Sequence, residues 1–524
     1  MTRSGPLRPA TGTEAAGAPL ATRVPLGDLG TEVAGLTSRG ARFAGLFAIP
    51  DPSGTRLVAV SALPGSLVVM ESHVPAGQDS FPALTPMVPA AAWYEREIHD
   101  LFGLHPSGHP RLDPLILPLA EQSSRPDPME AAGPHAGPGE RPGEGPYRSN
   151  RPAELDSTPL PAHLKGEGVF TIPYGPVRSG VFESIEYLLE TAGEVVPHLR
   201  SRIHHKHRGI ERSFEGMTTA DAVLLAERME GVASVAHAIA FCEAVERISG
   251  ATIPRNAELL RVVHAELERI ANHLDSMIRH TEAAGQAVAF ARLSLHKERI
   301  LRLVARLCGH RFGRGVVQPG GVLGPPRAGS SEVLTALERI EASLRADTDL
   351  LMRTPSFLDR LRGTGVLPRD LVAAHGALGP VAKGSGQLDD ARLDRPYAAY
   401  ARLGWEPFRP RDGGDALARQ WVRLDEIWGS FHLARQALDE MVEPAPWHVP
   451  LPDADGEAIG WAEAPQGEVL YLVKVEQGRV TRVKPRSASF HNLAIFPAAF
   501  PKDIFTDFAF IEASFGFSVA GAAG

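Results

Sequence analysis

The sequence predicts an α+β protein with two domains: a small N-terminal α/β domain and a large, mainly α-helical domain with peripheral β-hairpins. Three observations carry this prediction. Short apolar runs separated by turn residues occupy residues 23–120, and a stretch dense in proline and glycine follows at 121–165. Apolar residues then recur at intervals of three and four in several stretches of 166–524, which is typical of helices with one buried face.

Composition excludes several classes of protein. The 524 residues are 43% hydrophobic and 22% charged, as in ordinary globular proteins, and the formal charge of -8 gives no basis for binding nucleic acid. We find no apolar run near the roughly 20 residues that a membrane helix needs, so we expect any membrane contact to come through partners. Cys242 and Cys308 are interpreted as small buried hydrophobes, and the absence of a C-x-x-C motif excludes a four-cysteine iron-sulfur cluster in this chain.

The amino-terminal part divides into an arm and a strand-rich domain. Residues 1–22 are rich in Gly, Ala, Pro and Thr without periodicity, which predicts a disordered arm. In the domain at 23–120, the apolar runs at 56–60 and 66–70 flank Leu63, Pro64 and Gly65, a pattern that predicts two strands around a turn. The composition of 121–165 cannot support a core and predicts a linker.

The large domain at 166–524 has clear helix signals. Thr218 followed by Asp221 resembles a helix start, and Gly231 predicts a break in the apolar segment that runs on to Gly250. Apolar stripes predict long helices at 256–282 and 288–308, and the runs at 469–475 and 479–483 predict a hairpin around Gln477 and Gly478.

One motif links the small domain to a known family. Residues 93–110 read W-Y-E-R-E-I-H-D-L-F-G-L-H-P-S-G-H-P, which closely resembles the signature of the thirty-kilodalton subunit of respiratory complex I. Residues 23–120 are therefore identified as a domain similar to this thirty-kilodalton subunit. His105 and His109 are either structural residues of the loop or metal ligands, and a Pro/Gly-rich loop favours the structural role.

Several motifs of the large domain resemble the forty-nine-kilodalton subunit of complex I and the large subunits of group 4 nickel-iron hydrogenases. They include H-R-G-I-E at 207–211, E-L-E-R-I-A-N-H-L at 266–274 and E-A-P-Q-G-E at 463–468, where the family's arginine is Gln466. Residues 227–242, E-R-M-E-G-V-A-S-V-A-H-A-I-A-F-C, resemble the nickel-binding segment E-R-x-C-G-x-C-S-x-x-H. The resemblance covers nearly all of 166–524.

The residues that would ligate nickel are missing. In the resemblance, the four cysteine positions are Glu230, Ala233, Ser518 and Gly521. Neither an alanine methyl group nor a single glutamate replaces bridging thiolates. We therefore expect no nickel-iron centre and no metal bound by this chain.

The resemblance to complex I implies a second kind of site. In its forty-nine-kilodalton subunit, the cavity that corresponds to the nickel site binds the quinone headgroup, and a tyrosine and a histidine hydrogen-bond the quinone oxygens. In this chain, the histidine position aligns with Arg178, the tyrosine position with Gly231, and a nearby acidic position with about Ala283. The polar residues that remain lead to two groups of candidates. The candidate catalytic residues are Glu230, His237, Arg178 and Glu211, and the candidate residues for a quinone cavity or for contacts near an iron-sulfur cluster are Arg208, Arg228 and Ser234. Each of them is alternatively a structural salt bridge or hydrogen bond.

The resemblance implies the large subunit of a membrane-associated, complex I-related oxidoreductase, peripheral on the cytoplasmic side of the cell membrane. Its implied partners are an iron-sulfur small subunit and antiporter-like membrane subunits. The chain alone would bind no cofactor; clusters would lie in the partner, quinone would bind in the cavity, and NAD would be used only through the complex. Three functions stay open: reduction of a quinone-like acceptor coupled to ion or proton movement, a non-catalytic assembly role, and a true hydrogenase, which the missing ligands disfavour.

Overall fold

The computed structural model describes residues 21–117, 164–178, 183–405 and 411–524. The predicted arm at 1–22 and linker at 121–165 lie almost entirely outside the described residues. The domain boundaries therefore stay predictions.

The small domain is a sheet covered by helices, as the short apolar runs predict. Its four-stranded sheet has the order β1-β4-β3-β2, with β1 parallel to β4 and the other pairs antiparallel. Gly65 turns the chain between β3 and β4 with a φ of 84°, which confirms the predicted hairpin. Its elements are β1 (Thr22–Arg23), α1 (Leu29–Ser38), β2 (Arg42–Asp51), β3 (Gly54–Leu63), β4 (Ser66–Pro75), β5 (Ser80–Pro82), α2 (Ala92–Phe102) and β6 (His105–Ser107).

The first part of the large domain starts with a three-stranded sheet and continues as helices. β8 pairs antiparallel with both β7 and β9. The elements are β7 (Phe170–Tyr174), β8 (Glu186–Thr191), β9 (His198–Arg202), α3 (Ile210–Ser213), α4 (Thr219–Ala226), α5 (Ser234–Ser249), α6 (Arg255–Ala283), α7 (Ala287–Cys308), β10 (Val317–Gln318) and β11 (Gly321–Val322).

The second part of the large domain packs around α6. α6 is buried along much of its length between α7 and the long helix α13. The elements are α8 (Ser330–Leu351), α9 (Pro355–Leu361), α10 (Arg369–Ala374), α11 (Gly379–Lys383), α12 (Ala391–Asp394), α13 (Ala416–Asp439), β12 (Gly456–Ala464), β13 (Gly467–Glu476), β14 (Arg479–Arg486), α14 (Ala488–Ile495), α15 (Phe508–Phe515) and α16 (Val519–Ala523).

The helix break predicted at Gly231 is present. Thr218 caps α4, its hydroxyl oxygen accepting a hydrogen bond from the Asp221 amide at 3.2 Å. α4 ends at Ala226 and α5 begins at Ser234, so the intervening turn carries Glu230 between two helices. α5 then lies on the β12–β14 sheet, where Gly460 permits close approach: a Cβ at this position would lie 2.0 Å from the Ala240 carbonyl oxygen.

The two domains share one apolar interface. The Tyr94 ring of α2 lies 4.7 Å from the Phe490 ring of α14, and the Tyr94 hydroxyl is 2.7 Å from His491 Nε2. One buried apolar cluster includes residues of the four-stranded sheet of the small domain together with residues of α14, α15 and α16. This interface attaches the small domain to the C-terminal segment of the chain.

Candidate functional site

The site is built around three buried polar side chains. His237 lies in the first turn of α5, with its Nε2 atom 3.1 Å from Glu230 Oε1 and its Nδ1 atom 2.7 Å from the Tyr471 hydroxyl of β13. Glu230 and His237 are 1% and 0% exposed. Burial raises the pKa of Tyr471 well above its ordinary value, and the Glu230 carboxylate adds to this effect. Tyr471 is therefore a neutral phenol that can donate to His237, leaving Nε2 to face Glu230.

The other carboxylate oxygen of Glu230 occupies the space beside Gly521. The Ser487 hydroxyl donates to Glu230 Oε2 at 3.0 Å. A Cβ at position 521 would lie only 1.9 Å from Glu230 Oε2. Glu230 and Gly521, two of the four positions that align with the family's cysteines, are therefore in contact. The Glu230 side chain occupies the space that the missing side chain of Gly521 leaves free.

Ser518, the third position that aligns with a family cysteine, is connected to this group by hydrogen bonds through the segment after β14. The Ser487 hydroxyl accepts from the Ser489 amide at 3.1 Å, and the Ser489 hydroxyl accepts from the Ser518 amide at 2.9 Å. Ser518 also donates to Glu183 at 3.0 Å and accepts from the Gly521 amide at 3.2 Å, where it caps α16. Ala233, the fourth position, is buried directly before α5.

Arg208 connects the turn before α5 with α16. Its guanidinium donates to the carbonyl oxygens of Arg228 at 3.1 Å, Met229 at 2.5 Å and Ala520 at 3.2 Å. Its backbone amide donates to the Gly524 carbonyl at 2.7 Å. Arg208 therefore holds the turn that carries Glu230 against α16.

Arg178, Ser234 and Arg228 make contacts outside the central group. Arg178 forms an ion pair with Glu512 at 2.9 Å, and Glu512 also accepts from the Tyr187 hydroxyl at 3.0 Å. The Ser234 hydroxyl is buried and accepts from Arg314 at 3.4 Å. The Arg228 side chain is 53% exposed and donates to the Leu224 carbonyl, so it points away from the buried group.

Glu211 belongs to a separate ion cluster between the two domains. Lys484 of β14 lies 2.6 Å from Glu211 and 2.8 Å from Glu97 of the small domain, and Arg482 lies 2.7 Å from Glu211. Burial alone would raise the pKa of Glu211, but Lys484 and Arg482 lower it below its ordinary value. Burial raises the pKa of Glu97, so Glu211 loses its proton more readily than Glu97.

Sequence reasoning missed several polar residues at the site. Tyr471, Ser487 and Ser489 complete the central group, and their only sequence signal is the serine pair that follows a strand. A further buried ion cluster joins α6 to α11 and α13, where Lys383 is 2.6 Å from Asp390 and 2.8 Å from Glu426. The remaining members are Glu266, Arg269, His273, Arg392 and Glu463.

Glu463 is the unusual acid of this second cluster. Burial and the neighbouring Asp390 carboxylate raise its pKa to about 8, against the opposing effect of Lys383. Its Oε1 atom lies 3.9 Å from Lys383 Nζ, too far for a hydrogen bond, whereas its Oε2 atom accepts from the Ala391 amide at 2.9 Å. Glu463 is therefore a buried carboxyl group able to hold a proton near neutral pH.

The residues present do not fit a nickel-iron group. The four positions offer one carboxylate, a methyl group, a hydroxyl group and no side chain at all, where the metals need bridging thiolates. Glu230 also fills the space next to Gly521. Within the described ranges, no group of three or more His, Cys, Asp and Glu side chains is arranged to hold a metal ion.

Comparison with protein families matches three parts of the chain. Residues 284–454 match the 49 kDa subunit of respiratory-chain NADH dehydrogenase, and residues 46–130 match its 30 kDa subunit. Residues 208–276, which carry Glu230 and His237, match the nickel-dependent hydrogenases.

Individual proteins show the same relationship. The membrane-bound hydrogenase subunit alpha of Pyrococcus furiosus is 31% identical over 342 residues, 62% of this chain and 80% of the relative. The carbon monoxide-induced hydrogenase of Rhodospirillum rubrum is 32% identical over 62% of this chain and 90% of the relative. The C/D 2 subunit of the NADH-quinone oxidoreductase of Aquifex aeolicus is 25% identical over 87% of this chain and 84% of the relative.

These matches define a class of protein, the large subunits of hydrogenase-related and complex I-related oxidoreductases. The chain belongs to the family formed by complex I 49 kDa subunits and group 4 hydrogenase large subunits, with a 30 kDa domain fused before it. The predicted α+β fold and the resemblance are both confirmed.

No helix in the described part of the chain has both the length and the apolar composition needed to cross a bilayer.

Proposed function

We propose that this chain couples electron transfer in a complex I-related assembly to proton movement, through the buried group of Glu230, His237 and Tyr471. The observation that carries the proposal is the position of His237, with one ring nitrogen facing a carboxylate and the other facing a phenol. An imidazole in this position can take up a proton on one nitrogen while the other stays hydrogen-bonded.

The packing of the site favours a proton over a larger reactant. Glu230 fills the room beside Gly521, and both Glu230 and His237 are almost completely buried. Because charges interact strongly where water is excluded, one added proton changes the local field and the ion-pair geometry. A quinone ring would need space that these side chains occupy, so we place any acceptor outside this packed group.

The relatives include subunits of larger complexes, and this supports the kind of partner that we propose. A chain with two cysteines and no C-x-x-C motif cannot itself hold a four-cysteine cluster. We propose that an iron-sulfur small subunit supplies electrons next to the H-R-G-I-E segment, where Arg208 positions the turn carrying Glu230. Antiporter-like membrane subunits would respond to the charge change, and NAD would be used only through the complex. The assembly would be peripheral on the cytoplasmic side of the cell membrane.

Substitution of Glu230 tests the proposal in the assembled complex. The tagged complex would be purified from its native membrane and placed in vesicles with a reduced viologen as donor and a water-soluble quinone as acceptor. We expect Glu230→Gln to preserve subunit yield but to lower proton uptake roughly 100-fold, since it removes the acid that faces His237. Glu215→Gln, which changes an exposed glutamate, is the control. Normal proton uptake in Glu230→Gln would refute the proposal.

A scaffold role is the second candidate, favoured by the ion cluster that joins the domains. Lys484 links Glu97 of the small domain with Glu211 of the large domain, which is an arrangement suited to assembly. The scaffold role predicts that a Glu230→Ala, His237→Ala double variant leaves both the yield and the activity of the complex intact. The coupling role predicts normal yield with lost proton uptake.

A further inference from the structure

A cavity borders the turn that carries Glu230, at Gly231 and Val232. Its volume is about 80 Å³, and it is enclosed by Gly231, α5, α6, α7 and the segment after α7. Most of its wall is apolar, from residues such as Val232, Leu267 and Ala271. Lys297 and Arg311 line its outer part, with side chains 31% and 49% exposed, so the cavity faces solvent on that side.

His264 is a buried polar group that lines this cavity without a protein partner. It is 1% exposed, and neither ring nitrogen has a hydrogen-bond partner among the described residues. Burial lowers the pKa of His264 to about 4, so the ring is neutral and offers one donor and one acceptor. An unpaired buried polar group is costly, and a cavity of this size has room for several water molecules, each needing at least about 10–15 Å³.

Glu268 faces the same cavity one helical turn after His264. Its two carboxylate oxygens accept hydrogen bonds from the amides of Val235 at 2.7 Å and Ala236 at 3.1 Å, in the first turn of α5. Burial raises the pKa of Glu268 to about 8, the two amides oppose this rise, and the charge of Glu230 adds to it. The Glu268 carboxyl group therefore interacts electrostatically with Glu230, which faces His237 in the same turn of α5.

The other charged groups around Glu268 are already paired. Lys297 of α7 lies 2.5 Å from Asp275 of α6, and Arg311 lies 2.7 Å from Glu298. Arg269, the next residue on α6, donates to the Glu463 and Ala464 carbonyls at 2.6 Å and 3.0 Å. With His264 neutral, these pairs leave Glu268 and Glu230 as the acids whose charges act on each other.

We propose that Glu268 is a proton-loading residue for Glu230, and that the cavity lined by His264 is its water-filled inlet. A hydronium ion in the cavity gives a proton to a Glu268 oxygen and becomes water, forming the Glu268 O–H bond while Glu230 is ionised. Glu268 then gives this proton up to Glu230: the Glu268 O–H bond breaks, Glu268 returns to the carboxylate form, and Glu230 becomes neutral. The inference rests on the proposed proton-coupling function and adds the route by which protons arrive.

Reciprocity follows from this arrangement. If the charge of Glu230 favours a proton on Glu268, then the charge of Glu268 favours a proton on Glu230 by the same free energy. Both acids contact the start of α5: Glu268 accepts from its backbone amides, and Glu230 faces His237 in the same turn.

Two substitutions of Glu268 test the inlet in the assembled complex with the viologen and quinone assay. Glu268→Gln keeps one oxygen that can accept from an α5 amide but cannot take up a proton, and we expect proton uptake at pH 7 to fall roughly 100-fold. In the unsubstituted complex, uptake should decline as the pH rises through about 8, where Glu268 loses its proton. Glu268→Gln should remove that decline. Glu282→Ala, at an exposed position on the same helix, is the control.

Chemical rescue tests the cavity itself. Glu268→Ala enlarges the cavity, so added formate, a small weak acid, should restore at least about a tenth of the lost proton uptake. A further Ala271→Leu substitution fills the space and should abolish this rescue.

The two failures are distinguishable. Normal proton uptake in Glu268→Gln together with a defect in Glu230→Gln would overturn the inlet and leave the proposed function standing. Normal uptake in both variants would refute the proposed function and the inlet with it. A defect in Glu268→Ala that formate does not restore, with normal uptake in Glu268→Gln, would reduce Glu268 to a helix cap and also overturn the inlet.

Discussion

Restoring a side chain at position 521 is a direct test of how the site is packed. Gly521 lies within α16, and a Cβ there would lie 1.9 Å from Glu230 Oε2 and 2.8 Å from the Ser487 hydroxyl. Gly521→Ala therefore forces the Glu230 carboxylate away from Ser487, and away from His237 as well. The variant should be destabilised as long as position 230 carries a glutamate.

The expected magnitude follows from three contributions. Overpacking of a tight core costs about 1–3 kcal/mol. Loss of a hydrogen bond to a buried charged group costs about 1.5–3 kcal/mol. Replacing glycine by alanine in a helix returns about 1 kcal/mol. We expect Gly521→Ala to lower the free energy of unfolding by about 2–4 kcal/mol, and to be close to neutral when Glu230→Ala has already removed the carboxylate.

A double-mutant cycle on the full chain measures this interaction. The free energies of unfolding of the unsubstituted chain, Gly521→Ala, Glu230→Ala and the double variant would be obtained by urea denaturation followed by tryptophan fluorescence. Gly324→Ala is the control, because a Cβ at that position would meet nothing within 4 Å, and its effect should add to that of Glu230→Ala. Additive effects of Gly521→Ala and Glu230→Ala would show that the two positions are not in contact and would refute the packing described here.

Two further predictions concern the buried ion clusters. Lys484→Met should lower the free energy of unfolding by about 3–5 kcal/mol, because it leaves two buried carboxylates without their shared cation, and adding Glu97→Gln should recover part of the loss in the same urea assay. Because the pKa of Glu463 is raised to about 8, the folded chain binds more protons than the unfolded chain between about pH 4.5 and pH 8, so this residue makes stability fall as the pH rises through that window. Glu463→Gln should remove that contribution, and an unchanged pH profile of stability would contradict the assignment.

Much of the fold could be predicted from local patterns. The predicted helices at 256–282 and 288–308 appear as Arg255–Ala283 and Ala287–Cys308, and the break at Gly231 separates two helices. These signals are local. The apolar residues of a buried helix face recur every three or four positions, and a cap residue stands directly beside the helix end that it marks. The shared core of the two domains was not predicted, since the contact between Tyr94 and Phe490 joins residues almost 400 positions apart.

The site could be predicted only in part, for a similar reason. Glu230 and His237 both belong to the motif at 227–242, so the sequence predicts both as site residues. Tyr471 lies in β13 and Ser487 directly follows β14, both more than 200 positions from Glu230, so only the fold shows that they are hydrogen-bond partners of the site. Arg178 and Glu211 were grouped with Glu230 through the resemblance, whereas the structure pairs them with Glu512 and Lys484.

The composition of the packed group argues against a site that merely fills space. Burying a charge costs several kcal/mol, and replacing a buried ion pair by apolar residues of similar size is often neutral or stabilising. A scaffold that had lost its metal would therefore be served equally well by an apolar side chain at 230. Instead, Glu230 is placed 3.1 Å from a histidine, which is hydrogen-bonded in turn to a tyrosine, and the glycine at 521 leaves the carboxylate the room it needs. The proposed proton role accounts for this arrangement of side chains, and the Glu230→Gln variant tests it.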